Sequence, residues 1–313
     1  MSSPEVVEAA AALLGPRVQE GVSLGIRTTY RVGGAAALLV TVNGEDDLDA
    51  LSEAVRATGV ETLVVGKGSN LLVADGGFAG LAVVLGEAYG GVEVEGTTVR
   101  AGGAAALPVV ARKSTAAGLT GFEWAVGVPG SIGGAVRMNA GGHGSDMAAT
   151  LVGVRVVDLR TGEDREVPAA SLLFDYRRSS IARDHLVLQA EMLLARDHQA
   201  AGAATLAEIV TWRRAHQPGG TNAGSVFTNP PGDSAGRLIE AAGGKGLRIG
   251  TAAVSVKHAN FIQADDNGRA DDVYSLMLAV QAMVREHAGV ELRPETQLVG
   301  FDPIPNAKSK VEG

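Results

Sequence analysis

The stretch Gly127-Val128-Pro129-Gly130-Ser131-Ile132-Gly133-Gly134-Ala135-Val136-Arg137-Met138-Asn139-Ala140-Gly141-Gly142-His143-Gly144 decides how the rest of the chain reads. Seven of its eighteen residues are glycine, a density too costly in backbone entropy for an ordinary helix or strand. Small or apolar residues fill nearly every gap, so something must approach this backbone closely. Successive bare N–H groups form concavities that bind phosphate or pyrophosphate oxygens, which makes a pyrophosphate cradle the functional reading. The plain alternative is a glycine-rich loop in a chain that holds 43 glycines.

At 313 residues the chain is long enough for two domains, or for one large domain with a smaller partner. Hydrophobic content of 46% and charged content of 20% are those of a soluble globular protein, no apolar run is long enough to span a bilayer, and no leader pattern opens the chain. The expected location is cytoplasmic. With no cysteine there is no disulfide, thiolate metal site or cysteine nucleophile. A formal charge of −8 without a basic, aromatic-laced patch argues against nucleic acid, and any anionic ligand must be met by local positive groups. The six histidines show no metal-ligand spacing, so no metal is expected. A monomer is the default.

Toward the N-terminus the periodicity predicts a helix over Pro4 to Leu14, a strand over Ala37 to Val42 and a helix from Glu45 to Thr58 stopped by Gly59. A strand over Thr62 to Val65 runs into Gly66-Lys67-Gly68-Ser69-Asn70-Leu71. This is not a dinucleotide fingerprint, because Leu71 stands where the third glycine belongs, and no P-loop pattern occurs. It still offers bare amides for a phosphate. Short strands follow from Leu81 to Ala101, then a helix over Leu107 to Ala117. Beyond the opening stretch, Leu151 to Leu159 and Asp164 to Val167 read as a hairpin turning at Thr161-Gly162, and His185 to Leu194 as a strand. The alanine-rich segment Ala195 to Ala204 reads as a domain boundary. A helix over Thr205 to His216, an aperiodic run from Thr221 to Pro231, a helix over Ser234 to Ala242, strands near Val254 to Val256 and Asn260 to Gln263, a helix over Asp271 to His287 and a strand over Gln297 to Phe301 complete the chain. The mixture of short strands and helices is α+β. The expected division is 1–80 and 81–200 as two cofactor-binding subdomains, 201–302 as a substrate-binding domain and 303–313 as a disordered tail.

Three polar residues sit where packing does not need them: Arg177, Ser225 and Glu295. Each has a structural alternative: a surface ion pair for Arg177, a turn for Ser225 and a solvated strand start for Glu295. Without a histidine or aspartate beside the serine they form no hydrolytic triad. A serine hydroxyl can instead deliver a proton to carbon while an arginine and a carboxylic acid hold the charge that builds on a substrate carboxylate. That set suits reduction of a carbon–carbon double bond conjugated to a carboxylate.

Taken in order, Gly66 to Asn70, Gly127 to Gly134, Tyr176-Arg177-Arg178-Ser179, Gly224-Ser225-Val226-Phe227-Thr228-Asn229-Pro230 and Pro294-Glu295 resemble the UDP-N-acetylenolpyruvoylglucosamine reductase family over nearly the whole chain. The resemblance implies an FAD-binding fold of the vanillyl-alcohol-oxidase type in two subdomains, with a C-terminal α+β substrate-binding domain. It implies reduction of the enolpyruvyl ether of UDP-N-acetylglucosamine to UDP-N-acetylmuramate for peptidoglycan, with NADPH as co-substrate. Carried over by motif, Ser225 is the proton donor and Arg177 and Glu295 stabilise the enolate-like charge. The FAD contacts implied are Tyr30, Arg31, Gly66, Lys67, Gly68, Ser69, Asn70, Leu71, Gly127, Val128, Pro129, Gly130, Ser131, Gly133, Gly134, Asn139, Ala140, Gly141 and Val187; Asn229 and Lys257 are the substrate contacts. No tyrosine lies between Arg178 and Gly224, so the chain resembles the shorter subclass that lacks a tyrosine-bearing loop. With no cysteine, and no histidine in the first glycine loop, the FAD is expected to be non-covalent. Two other readings are a different flavin oxidase on the same scaffold and a flavin- or UDP-sugar-binding protein without turnover.

Overall fold

The computed structural model describes residues 2–301, so the tail expected at 303–313 lies outside the described residues. Helix α1 is Pro4–Leu14 and α2 is Glu45–Thr58, closed by Gly59 in the left-handed conformation. Leu48, Leu51 and Val55 face inward from α2 onto a four-stranded sheet ordered Val18–Ser23, Ala35–Val42, Phe78–Leu85, Thr62–Val64. Its first pair is antiparallel and the rest are parallel. A second sheet is wholly antiparallel, ordered Glu163–Pro168, Leu151–Asp158, His185–Leu193, Thr98–Gly102, Val92–Glu95. Helices α3 (Leu107–Ala116) and α4 (Ile132–Met138) pack on it, and α5 (Gln199–His216) adds Ile209 to the same core. The remaining unit builds a third core from α6 (Ala235–Ala241), α7 (Ala270–Ala288) and a three-stranded antiparallel sheet.

Two expectations change. The glycine stretch does contain a helix, α4, over Ile132–Met138. Its cost is offset by tertiary contact: Ser131 caps it by accepting from the Gly134 amide, and the Gly133 amide donates to the Gly103 carbonyl at 2.9 Å. A Cβ on Gly133 would crowd that carbonyl at 3.3 Å, so glycine is what lets α4 approach. Second, the helix expected to start at Thr205 starts within Ala195 to Ala204, the segment read as a domain boundary. Helix α5 already begins at Gln199, with the Gly202 position buried against Thr115.

The chain closes on itself. The strand Gln297–Val299 pairs in parallel with Leu71–Val73, directly after the first glycine loop. Asp75 ties the same region to α7, accepting from the Ala270 amide at 2.9 Å, while its own amide donates to Asp271. Deep in the last unit, Asn260 is 3% exposed and grips the aperiodic run from both sides: its Oδ1 accepts from Phe227 N at 3.0 Å and its Nδ2 donates to Phe227 O at 2.8 Å. Asn260→Ala would strand both buried groups. Chemical denaturation should show a loss of about 2–4 kcal/mol, with catalysis falling because Ser225 is two residues away.

Candidate active site

One cleft of about 580 Å³ runs between the three cores. Both glycine loops line it and touch: a Cβ on Gly66 would stand 2.5 Å from Ser131 Oγ, and one on Gly130 would stand 3.2 Å from Ser69 Oγ. Gly68 has φ +62°, and a Cβ there would meet the Arg27 carbonyl at 2.2 Å. Among the described residues, the amides of Gly66, Lys67, Gly68, Ser69, Gly130 and Ser131 donate to no intramolecular acceptor. Open N–H groups on two abutting glycine loops are what a pyrophosphate cradle needs, so the residues present fit a dinucleotide cofactor such as FAD. The walls are cationic despite the chain's net negative charge: Lys67, Arg137, Arg177, Arg183 and Arg213 line the cleft against Glu295 as the one carboxylate among the described residues. Burial, with Arg183 nearby, lowers the Arg137 pKa.

Arg177, Ser225 and Glu295 come from separate parts of the chain and reach the same cleft. Arg177 has φ +56° in a tight turn where the Asp175 and Arg178 backbones exchange hydrogen bonds. Its Nη2 donates to the Gly141 carbonyl at 3.0 Å, and its Nε stands 3.0 Å from Glu295 Oε1, an ion pair whose N–H is not aligned as a hydrogen bond. Glu295 is held by its backbone: its amide donates to Val226 O at 2.8 Å and its carbonyl accepts from Asn70 Nδ2 at 3.0 Å. Ser225 therefore sits one residue from the Glu295 tether. Its hydroxyl makes no intramolecular hydrogen bond among the described residues, which leaves it free for a ligand.

Burial raises the Glu295 pKa, and the Arg177 guanidinium only partly offsets it. A carboxyl whose pKa is higher folded than unfolded favours the fold fully below the unfolded value and loses that contribution as pH rises through the folded one. Glu295→Gln should therefore gain thermal stability relative to the parent as pH climbs from about 4 to 8. Melting curves across that range, at constant flavin occupancy, read this directly.

Gly66, Lys67, Gly68, Ser69, Asn70, Leu71, Val128, Pro129, Gly130, Ser131, Gly133, Gly134, Ala140, Gly141 and Val187 all line the cleft. Six expected contacts lie elsewhere. Tyr30 is fully buried in the last core, against the Ala223 backbone, and burial raises its pKa. Arg31 is exposed outside the cleft. Gly127 makes room for Arg213, whose Cδ a Cβ there would meet at 2.4 Å. Asn139 is 5% exposed and bonds inward to Asp146, Ala148 and the Asp175 carbonyl, so it positions the Arg177 turn. Asn229 caps α6, its Oδ1 accepting from the Ala235 amide, and Lys257 is exposed with its ammonium on the Arg214 carbonyl. Sequence reasoning passed over Arg137, Arg183, Trp212 and Arg213 in the cleft wall. Trp212-Arg213-Arg214 had a signal: an aromatic beside two cations in a chain with two tryptophans.

A mixed sheet and an antiparallel sheet share a glycine-lined, cationic cleft, and residues 36–167 match the family model "FAD binding domain", which makes the chain a flavin-binding oxidoreductase. Residues 216–299 match "UDP-N-acetylenolpyruvoylglucosamine reductase, C-terminal domain". The UDP-N-acetylenolpyruvoylglucosamine reductase of Heliobacterium modesticaldum is 42% identical over 276 residues, covering 87% of this chain and 88% of its own. That of Methylorubrum extorquens is 39% identical over 303 residues, covering 96% and 97%. The crystal structure of the Thermus caldophilus enzyme superposes with a TM-score of 0.79 at 35% identity, over 90% of this chain and 99% of that one. The chain belongs to the UDP-N-acetylenolpyruvoylglucosamine reductase family.

Proposed function

We propose that this protein reduces the enolpyruvyl group of UDP-N-acetylglucosamine enolpyruvate to UDP-N-acetylmuramate, in the cytoplasm, with NADPH as reductant. The observation that carries the reading is the meeting of Arg177, Ser225 and Glu295 in the cleft whose other wall is the glycine cradle. The cradle residues Gly66 to Leu71, Val128 to Ser131, Gly133, Gly134, Ala140, Gly141 and Val187 would hold FAD, without a covalent bond. Once reduced by NADPH, flavin in that cradle would supply the hydride equivalent for the enolpyruvyl double bond. The Ser225 hydroxyl gives its proton to the adjacent carbon. Arg177 offers its positive charge to the substrate carboxylate, and Glu295, whose pKa is raised by burial, offers a neutral acid to the same charge. Groups preorganised in this way are worth about 3–4 kcal/mol of barrier per donor.

The domain division 1–80, 81–200 and 201–302 belongs to this reading, as does membership of the subclass without a tyrosine loop. The test is anaerobic: NADPH should bleach the bound flavin, and the enolpyruvyl sugar nucleotide should restore its colour without oxygen. Bleaching without recovery would favour a different flavin enzyme on the same scaffold. Flavin left in the pellet after acid precipitation would overturn non-covalent binding.

A further inference from the structure

The wall of the cleft formed by the end of α5 carries an aromatic group that no core uses. Trp212 is 46% exposed, whereas Trp124, the other tryptophan, is 3% exposed. Helix α5 packs inward through Leu206, Ile209 and Val210, and Trp212 belongs to none of the core clusters. Yet its ring is held. His216 stacks on it at 4.5 Å and 17°, anchored by an Nδ1 contact of 2.7 Å to the Trp212 carbonyl. His143, from the glycine stretch, meets the indole edge-on at 5.1 Å and 85°. Beside it, Arg213 lies in the space that Gly127 leaves, half-buried and without a carboxylate partner among the described residues.

An exposed, immobilised ring next to an unpaired guanidinium in a cationic cleft matches the two parts of a nucleotide: a flat heterocycle and the phosphates attached to it. We propose that Trp212 is the stacking platform for the heterocyclic ring of a nucleoside diphosphate, with Arg213 meeting its phosphates. The inference rests on the reductase reading in that the cleft receives nucleotides. Two ligands share this chemistry, the uridine diphosphate of the sugar nucleotide and the nicotinamide dinucleotide phosphate.

The experiment titrates the flavin-loaded protein separately with UDP and with NADP+. Indole emission and dissociation constants are compared for the parent, Trp212→Phe and Trp212→Ala. At least one ligand should quench the parent's emission and bind Trp212→Ala about 5- to 150-fold more weakly, with Trp212→Phe recovering most of the loss. A loss confined to UDP assigns the ring to uracil, and one confined to NADP+ assigns it to the dinucleotide. Equal affinities for both ligands in the parent and Trp212→Ala overturn the proposal. So does a loss that Trp212→Phe does not recover. The two readings fail separately. Trp212-dependent UDP binding without flavin reoxidation would sink the reductase reading and leave the platform standing, and normal turnover with equal affinities would do the reverse.

Discussion

Replacing Ser225 with alanine is expected to slow reoxidation of the reduced flavin by the enolpyruvyl sugar about 100- to 10,000-fold, the usual worth of a positioned general acid. Reduction by NADPH should continue near the parent rate. The structure favours so clean a separation because the hydroxyl takes part in no intramolecular hydrogen bond among the described residues. Its neighbours Val226 and Phe227 stay clamped by Asn260, and Glu295 stays tethered to Val226 O, so the variant loses one oxygen and no scaffolding. Anaerobic stopped-flow measurement of the two half-reactions decides the matter. If both halves slow together, Ser225 has a general role in assembling the site, and the proton-donor assignment fails.

The second large effect belongs to the cradle. Gly68→Ala should give a folded protein purified with little flavin, and its FAD dissociation constant should rise about tenfold or more. Alanine is strained by about 1–2 kcal/mol at φ +62°, each 1.4 kcal/mol being tenfold in binding. Its Cβ would also lie 2.2 Å from the Arg27 carbonyl and 2.7 Å from Thr28 Cα, both backbone atoms that cannot rotate aside. The loop must shift, carrying the open amides of Gly66 to Ser69 with it. Gly76, whose Cβ would meet nothing within 4 Å, is the control: Gly76→Ala should keep its flavin. Flavin absorbance per protein, before and after dialysis against FAD, measures the loss.

Much of this fold was legible because helices and strands leave periodic marks. Helices α1 and α2 and the hairpin turning at Gly162 stand where their spacing puts them. Helix α4 was hidden because propensity counts Gly133 and Gly134 against it, while the contacts that compensate come from Gly103 and Val187, distant in the chain. The site shows the same division. Residue types named Arg177, Ser225 and Glu295 as chemistry-bearing, but the hydrogen bonds from Glu295 to Val226 and from Asn70 to Glu295 have no sequence signature. Nor could spacing show that Asn139 and Asn229 turn inward as a brace and a helix cap, or that Gly127 makes room for Arg213.

The parallel pairing of Gln297–Val299 with Leu71–Val73 also fixes an order of events during synthesis. The loop after residue 65 emerges early, but Glu295, the partner of Asn70, lies 225 positions downstream of it, and the strand that flanks the loop follows Glu295. Contacts of such separation form late, because the loop-closure entropy is incurred before they give anything back. A nascent chain halted between Gly144 and Glu295 would carry both glycine loops with the cleft open along one side. The first glycine loop is thus flanked on that side only once the strand Gln297–Val299 has been made, some two hundred residues after the loop itself.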